Sequence, residues 1–138
     1  MSSFLQAQTL EEAFPSVDPQ LKPLGSTVLV QIKSPAKLTK GGIILPDAEK
    51  AAERENTQLA KIIAMGPLAF HNRNTLEPWP EGAWVQVGDF VRVPRYGGDR
   101  YYMPNANDAD TPALFVLFED LNMKGLITGD PLAMKAFV

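Results

Sequence analysis

The 138-residue chain contains no cysteine. That excludes disulfide staples, thiolate metal sites and a cysteine nucleophile together. It has a single histidine, His71, so a multi-histidine metal site is excluded as well. Long hydrophobic runs are also missing. The longest strictly apolar stretch is 113–118, far short of the roughly 20 residues that span a bilayer. Met1-Ser2-Ser3-Phe4-Leu5-Gln6 has neither a basic start nor an apolar stretch, so no secretory signal is expected there. Positive charge is scarce: 13 basic residues against 16 acidic leave a net charge of −3. Residues 1–21 hold Glu11, Glu12 and Asp18 and no Lys or Arg. These features argue against nucleic-acid and membrane partners and favour a cytoplasmic protein.

What is present is proline, 12 residues in all, together with short apolar runs. Helix interiors tolerate proline badly, so strands, turns and loops are favoured. The β-branched run 27–32 places Val28, Val30 and Ile32 on one face. A second strand is expected over 59–65, closed by Gly66-Pro67. Gly88-Asp89 turns into a third at 90–93, with Val91 and Val93 sharing a face. Tyr96-Gly97-Gly98-Asp99 reads as a hairpin tip leading into 100–103. Residues 114–118 suit a strand buried on both faces, and 125–128 a short last strand. The pattern predicts one all-β domain, a small barrel or sandwich.

The two ends and two connections stand apart. Over residues 1–20, Thr9 and Glu12 have capping-box spacing around one helical turn that Pro15 would end, within what otherwise reads as a frayed terminus. The gaps from Lys33 to Gln58 and from Gly66 to Gly88 exceed ordinary turns, and structureless loops of that length are usually functional or disordered. The first gap holds Gly41-Gly42 and then Ile43-Ile44-Leu45, between polar arms and before Pro46. One reading makes the triplet a short core strand followed by a helix over 47–55. The other makes it an anchor for a partner's apolar groove. Burying three such side chains yields about 5–9 kcal/mol, less than ordering the surrounding loop costs. A single copy then binds weakly, and several copies on one assembly bind well, because later attachments are intramolecular.

Pro23-Leu24-Gly25-Ser26-Thr27-Val28-Leu29-Val30 resembles the opening strand of GroES-like co-chaperonins. Gly41-Gly42-Ile43-Ile44-Leu45 is similar to their mobile-loop motif, Ala60-Lys61-Ile62-Ile63-Ala64-Met65-Gly66 to the strand after it, and Val87-Gly88-Asp89-Phe90-Val91 to their Val-Gly-Asp turn. The resemblance implies a GroES-like, partly open β-barrel over 21–128, with a mobile loop at 33–58 and a roof-type insertion at 66–88. Residues 1–20 are then an N-terminal extension and 129–138 a C-terminal tail. It implies a homo-oligomer, a heptameric ring, that caps a chaperonin ring and closes the chamber in which an unfolded substrate protein folds. Ile43, Ile44 and Leu45 would dock, and Gly41 and Gly42 would permit the bend. No catalytic residue, metal or cofactor is implied, because ATP is bound and hydrolysed by the chaperonin. The added N-terminus, the unmatched 67–83 and the stretch 105–112 resemble a bacteriophage-encoded version, at work in the host cytoplasm.

Two other classes are weighed: a virion structural protein, and a single-strand nucleic-acid module in which Arg92, Arg95 and Arg100 interleave with Tyr96, Tyr101 and Tyr102. Three charges on an acidic chain are few for that purpose. Asn105-Ala106-Asn107-Asp108-Ala109-Asp110 lacks a calcium-loop pattern and reads as a turn. Glu119 and Asp120 point to opposite faces if both lie on a strand, which suits acid–base chemistry poorly. Trp79 and Trp84 read as packing at the barrel end.

Overall fold

Alternating apolar residues over 27–32 leave two faces to bury, and the fold buries both. The computed structural model of the chain describes residues 8–35, 52, 56–109 and 111–134. Its strands are β1 (Thr27–Ile32), β2 (Leu59–Met65), β3 (Phe90–Arg92), β4 (Asp99–Met103), β5 (Ala113–Glu119) and β6 (Gly125–Leu126). Among the described residues a short helix, α1 (Leu10–Ala13), precedes β1, and single 3-10 turns follow β5 at Asp120–Asn122 and β6 at Pro131–Ala133. The strands form one antiparallel sheet in the order β4-β5-β1-β2-β3-β6. Among the described residues the edge strands β4 and β6 do not pair with each other, so the fold is a partly open barrel.

Val28, Val30, Ile32, Ile62, Val91, Val93, Leu114, Val116 and Phe118 make the interior. The opposite face of β1 and β5 is apolar too, with Leu29 and Phe115 fully buried beneath Val17 and Leu21 of the N-terminal segment. Two-sided burial explains the unbroken apolar run of β5.

The structure corrects two expectations. Tyr96–Asp99 is not the tip of a β3–β4 hairpin, since those strands stand at or near opposite edges and β4 pairs with β5 instead. Gly98 shows why: its φ is +75°, and a Cβ there would lie 2.5 Å from Val116 Cγ1. The chain passes against β5 at this point, where only glycine has room. Nor is the N-terminus frayed over 8–20. Thr9 and Glu12 form the expected capping box, and Ala13 and Phe14 are buried with Leu59. Gln31 Nε2 donates to the Pro15 carbonyl at 2.9 Å, and the Tyr101 hydroxyl donates to that of Pro19 at 3.0 Å. Burial, then the nearby carboxylates of Asp18 and Asp99, push the Tyr101 hydroxyl above its ordinary value of 10.0, which keeps it a donor.

Candidate docking site

Gly41, Gly42, Ile43, Ile44 and Leu45 lie outside the described residues. The two ends of the segment that carries them are described. Ile32 faces Ala60 across the β1–β2 ladder. One residue further, the Lys33 N–H donates to the Leu59 carbonyl at 3.0 Å, and the Val93 N–H donates to that of Gln58 at 3.0 Å. Ser34 and Thr57 are each 1% exposed. Both ends therefore leave the same end of the barrel side by side, because β1 and β2 are antiparallel neighbours.

The N-terminal arm, residues 8–21, meets both roots. The Ser34 N–H donates to the Ala13 carbonyl at 2.8 Å, and the Gln8 side-chain amide donates to the Ser34 carbonyl at 2.8 Å. Leu59, the other root, packs with Ala13 and Phe14, and the Phe14 ring lies 5.1 Å from that of Phe90.

The long 66–88 connection emerges at the opposite end and is ordered. His71 bridges Pro78, the Trp79 N–H donates to the Phe70 carbonyl at 3.0 Å, and the Asn72 N–H donates to that of Glu77 at 2.8 Å. These bonds make a hairpin over 70–79 with Leu76 exposed near its tip. Phe70, Trp79 and Trp84 cluster beneath it, with ring centroids 4.9–5.8 Å apart, in the packing role expected for the tryptophans. His71 Nδ1 lies 2.8 Å from the Ala69 carbonyl, a bond in which the ring must donate. Among the described residues no cluster of metal-ligating side chains occurs, and no helix is long and apolar enough to cross a membrane.

The adjacent acids were legible in the sequence, but their task was not. Asp120 is 5% exposed and accepts the Phe70 N–H at 2.8 Å, at the base of the hairpin. Glu119 accepts from Arg73 at 2.9 Å and from the Ser26 hydroxyl at 3.1 Å, and Arg73 also reaches Ser26. Together they tie the hairpin to the ends of β1 and β5. Asp120→Ala is expected to leave the Phe70 N–H buried and unpaired, lowering stability by about 1–3 kcal/mol in urea unfolding. A tryptophan emission shift in the native state would report the loosened hairpin.

The Arg–Tyr set is not assembled into a stacking platform. Tyr101 stacks on Phe115 at 5.5 Å beneath the arm, Tyr102 takes the other face of β4, and the Arg100 guanidinium donates to the Arg95 carbonyl at 2.9 Å. Arg92 sits on β3, across β5, β1 and β2 from β4 in the sheet. The 105–112 stretch closes as a turn as far as it is described, with the Asp108 N–H donating to the Asn105 carbonyl at 3.1 Å.

Comparison with known proteins adds sequence relatives to this geometry. The family model of the chaperonin 10 Kd subunit matches residues 20–110, a span that includes 41–45 and both roots. A co-chaperonin GroES of Methylacidiphilum infernorum (isolate V4) is 38% identical over 82 residues, covering 59% of this chain and 75% of the relative. A co-chaperonin GroES of Chlamydia trachomatis serovar L2 is 34% identical over 79 residues, 57% of this chain and 70% of the relative. One from Caldicellulosiruptor saccharolyticus is 33% identical over 79 residues, 57% and 74% of the two chains.

Proposed function

This chain belongs to the chaperonin 10 kDa subunit family and is a co-chaperonin, and on that premise we propose that it docks on its chaperonin through Ile43, Ile44 and Leu45, with Gly41 and Gly42 permitting the bend. The family acts as an oligomer on a chaperonin partner and is not itself an enzyme. Seven copies form the ring in this proposal. Each presents its triplet to an apical groove, and the closed chamber holds an unfolded substrate protein. The chain needs no cofactor of its own, ATP being bound and hydrolysed by the chaperonin.

The observation that carries this reading is the family match running through 41–45, in a segment whose two roots leave the barrel side by side. Such a tether holds an apolar anchor beyond the barrel while returning the chain to the next strand. Multivalency then supplies the affinity that one loop lacks.

The test is the mass of the purified protein, followed by co-elution with a chaperonin with and without nucleotide. A mass of seven chains and ATP-dependent co-elution are expected. A monomer that never co-elutes would overturn the proposal. We further propose a bacteriophage origin and action in the host cytoplasm, on the ground that the extension over 1–20 falls almost wholly before the family match and that the sequences of 67–83 and 105–112 carry none of the motifs on which the resemblance rests. A gene lying beside a chaperonin gene in a bacterial operon would count against that origin.

A further inference from the structure

We propose that the N-terminal arm is a transverse strap that braces the open barrel from one edge of its sheet toward the other. This goes beyond the docking reading and does not rest on it. Ladder bonds join each strand only to its neighbours, and among the described residues none joins β4 to β6. The arm runs across the strands instead of along them. Ala13 and Phe14 pack with Leu59 of β2, and the Phe14 ring lies 5.1 Å from that of Phe90 on β3. The buried Gln31 side-chain amide of β1 donates to the Pro15 carbonyl at 2.9 Å. Val17 packs against the cluster of Leu29 on β1 with Ala113 and Phe115 on β5. The Tyr101 hydroxyl of β4 donates to the Pro19 carbonyl at 3.0 Å. Residues 13–19 therefore meet five strands, from β3 to the free edge at β4. The strap is extended toward the other edge by Ile127, just after β6. Its N–H donates to the Phe90 carbonyl at 2.8 Å, and its side chain packs against the cluster of Ala13, Phe14 and Leu59.

The crossing leaves little slack. Four ladders separate β3 from β4, about 19 Å at about 4.8 Å each. The five residue steps from Phe14 to Pro19 reach at most about 18 Å. The chain must cross nearly extended, with the Phe14 and Tyr101 side chains completing the distance. Pro15 and Pro19 suit that path, because a fixed φ reduces the freedom lost on seating. Strand β4 keeps its own ladder to β5; what the strap adds is a restraint on how far that edge swings from the rest of the sheet. A taut strap held at both ends carries a displacement at one end to the other, whereas contacts that act singly do not.

The experiment uses the full chain and reads each end of the strap after a change at the other. Tyr101→Phe removes the hydroxyl that holds Pro19 and keeps the ring that stacks on Phe115. It is expected to speed exchange of the Ser34 amide, which donates to the Ala13 carbonyl, about fivefold. The Ile62 amide, which donates to the Asp89 carbonyl, is expected to stay as protected as before. Phe14→Leu, at the β2–β3 end, is expected to speed exchange of the β4 amides bonded to β5 by about the same factor. In the double variant the strap is already cut once, so the second change adds less. The combined effect on the unfolding constant is expected to fall about threefold or more short of the product of the two single effects. Single effects that multiply to within about twofold would overturn the proposal, and so would a far-end amide left unmoved in either variant. If Phe14→Leu also releases the Ile62 amide, the whole barrel opens in that variant and Tyr101→Phe decides alone. A faster Ser34 amide with Ile62 still protected then supports the strap, and any other pattern refutes it.

Discussion

Ile44→Asp is expected to abolish ATP-dependent capping and to leave the barrel folded. A buried aliphatic side chain contributes about 1.5–3 kcal/mol, and an unpaired carboxylate in its place adds a desolvation cost on top. Every copy in the ring carries the change, so the losses multiply where the wild-type contacts had reinforced one another. The fold should survive because Val28, Val30, Ile62, Val116 and Phe118 pack against one another in the interior. Co-elution with a chaperonin in ATP checks the first half, and an unchanged thermal midpoint checks the second. Full capping by the variant would remove the triplet from the interface. Collapse of the fold would instead return it to the core, as the short strand that its composition also allows.

Gly66→Ala is expected to be the most damaging single-methyl change in the described barrel, at about 3–5 kcal/mol. A Cβ at this position would stand 2.3 Å from the Gly25 carbonyl oxygen and 3.0 Å from that of Thr27, both backbone atoms. Neither can swing aside as a side-chain tip would. The same contact is held by two hydrogen bonds, from the Gly66 N–H to the Thr27 carbonyl at 2.8 Å and from the Leu68 N–H to that of Gly25 at 2.9 Å. Relief of the clash means parting them. Overpacking costs about 1–3 kcal/mol and each lost bond about 0.5–1.5 kcal/mol more. Gly129→Ala is the control, since a Cβ there meets nothing within 4 Å, and it should lie within about 0.5 kcal/mol of wild type. Chemical denaturation compares the two. Equal midpoints would refute the account of Gly66 as a crossing point.

How much of this was readable beforehand varies by residue. The strands 27–32 and 59–65 coincide with β1 and β2 because β-branched alternation and the stop at Gly66-Pro67 are local signals. The capping box of Thr9 and Glu12 was readable for the same reason, being a contact across three residues. Asp120 was not. Its partner Phe70 lies 50 residues away, and nothing in a Glu-Asp pair announces which distant N–H it will accept. The proposed docking residues are legible only as a motif: two glycines and an aliphatic triplet inside a connection too long for its turn.

By itself, the order of residues determined where β1 and β2 run, the capping box at Thr9 and Glu12, the lack of any thiol, and the family to which the chain belongs. Each depends on composition or on neighbours a few positions apart. Only the tertiary structure decided that β4 pairs with β5, that the arm seats on both roots of the docking segment, and that Asp120 and Glu119 tie down the hairpin. Those outcomes join residues such as Pro19 and Tyr101, 82 positions apart. Such contacts form only where a closed core brings two surfaces together, and the energy of that packing depends on shape in three dimensions rather than on any pattern along the chain.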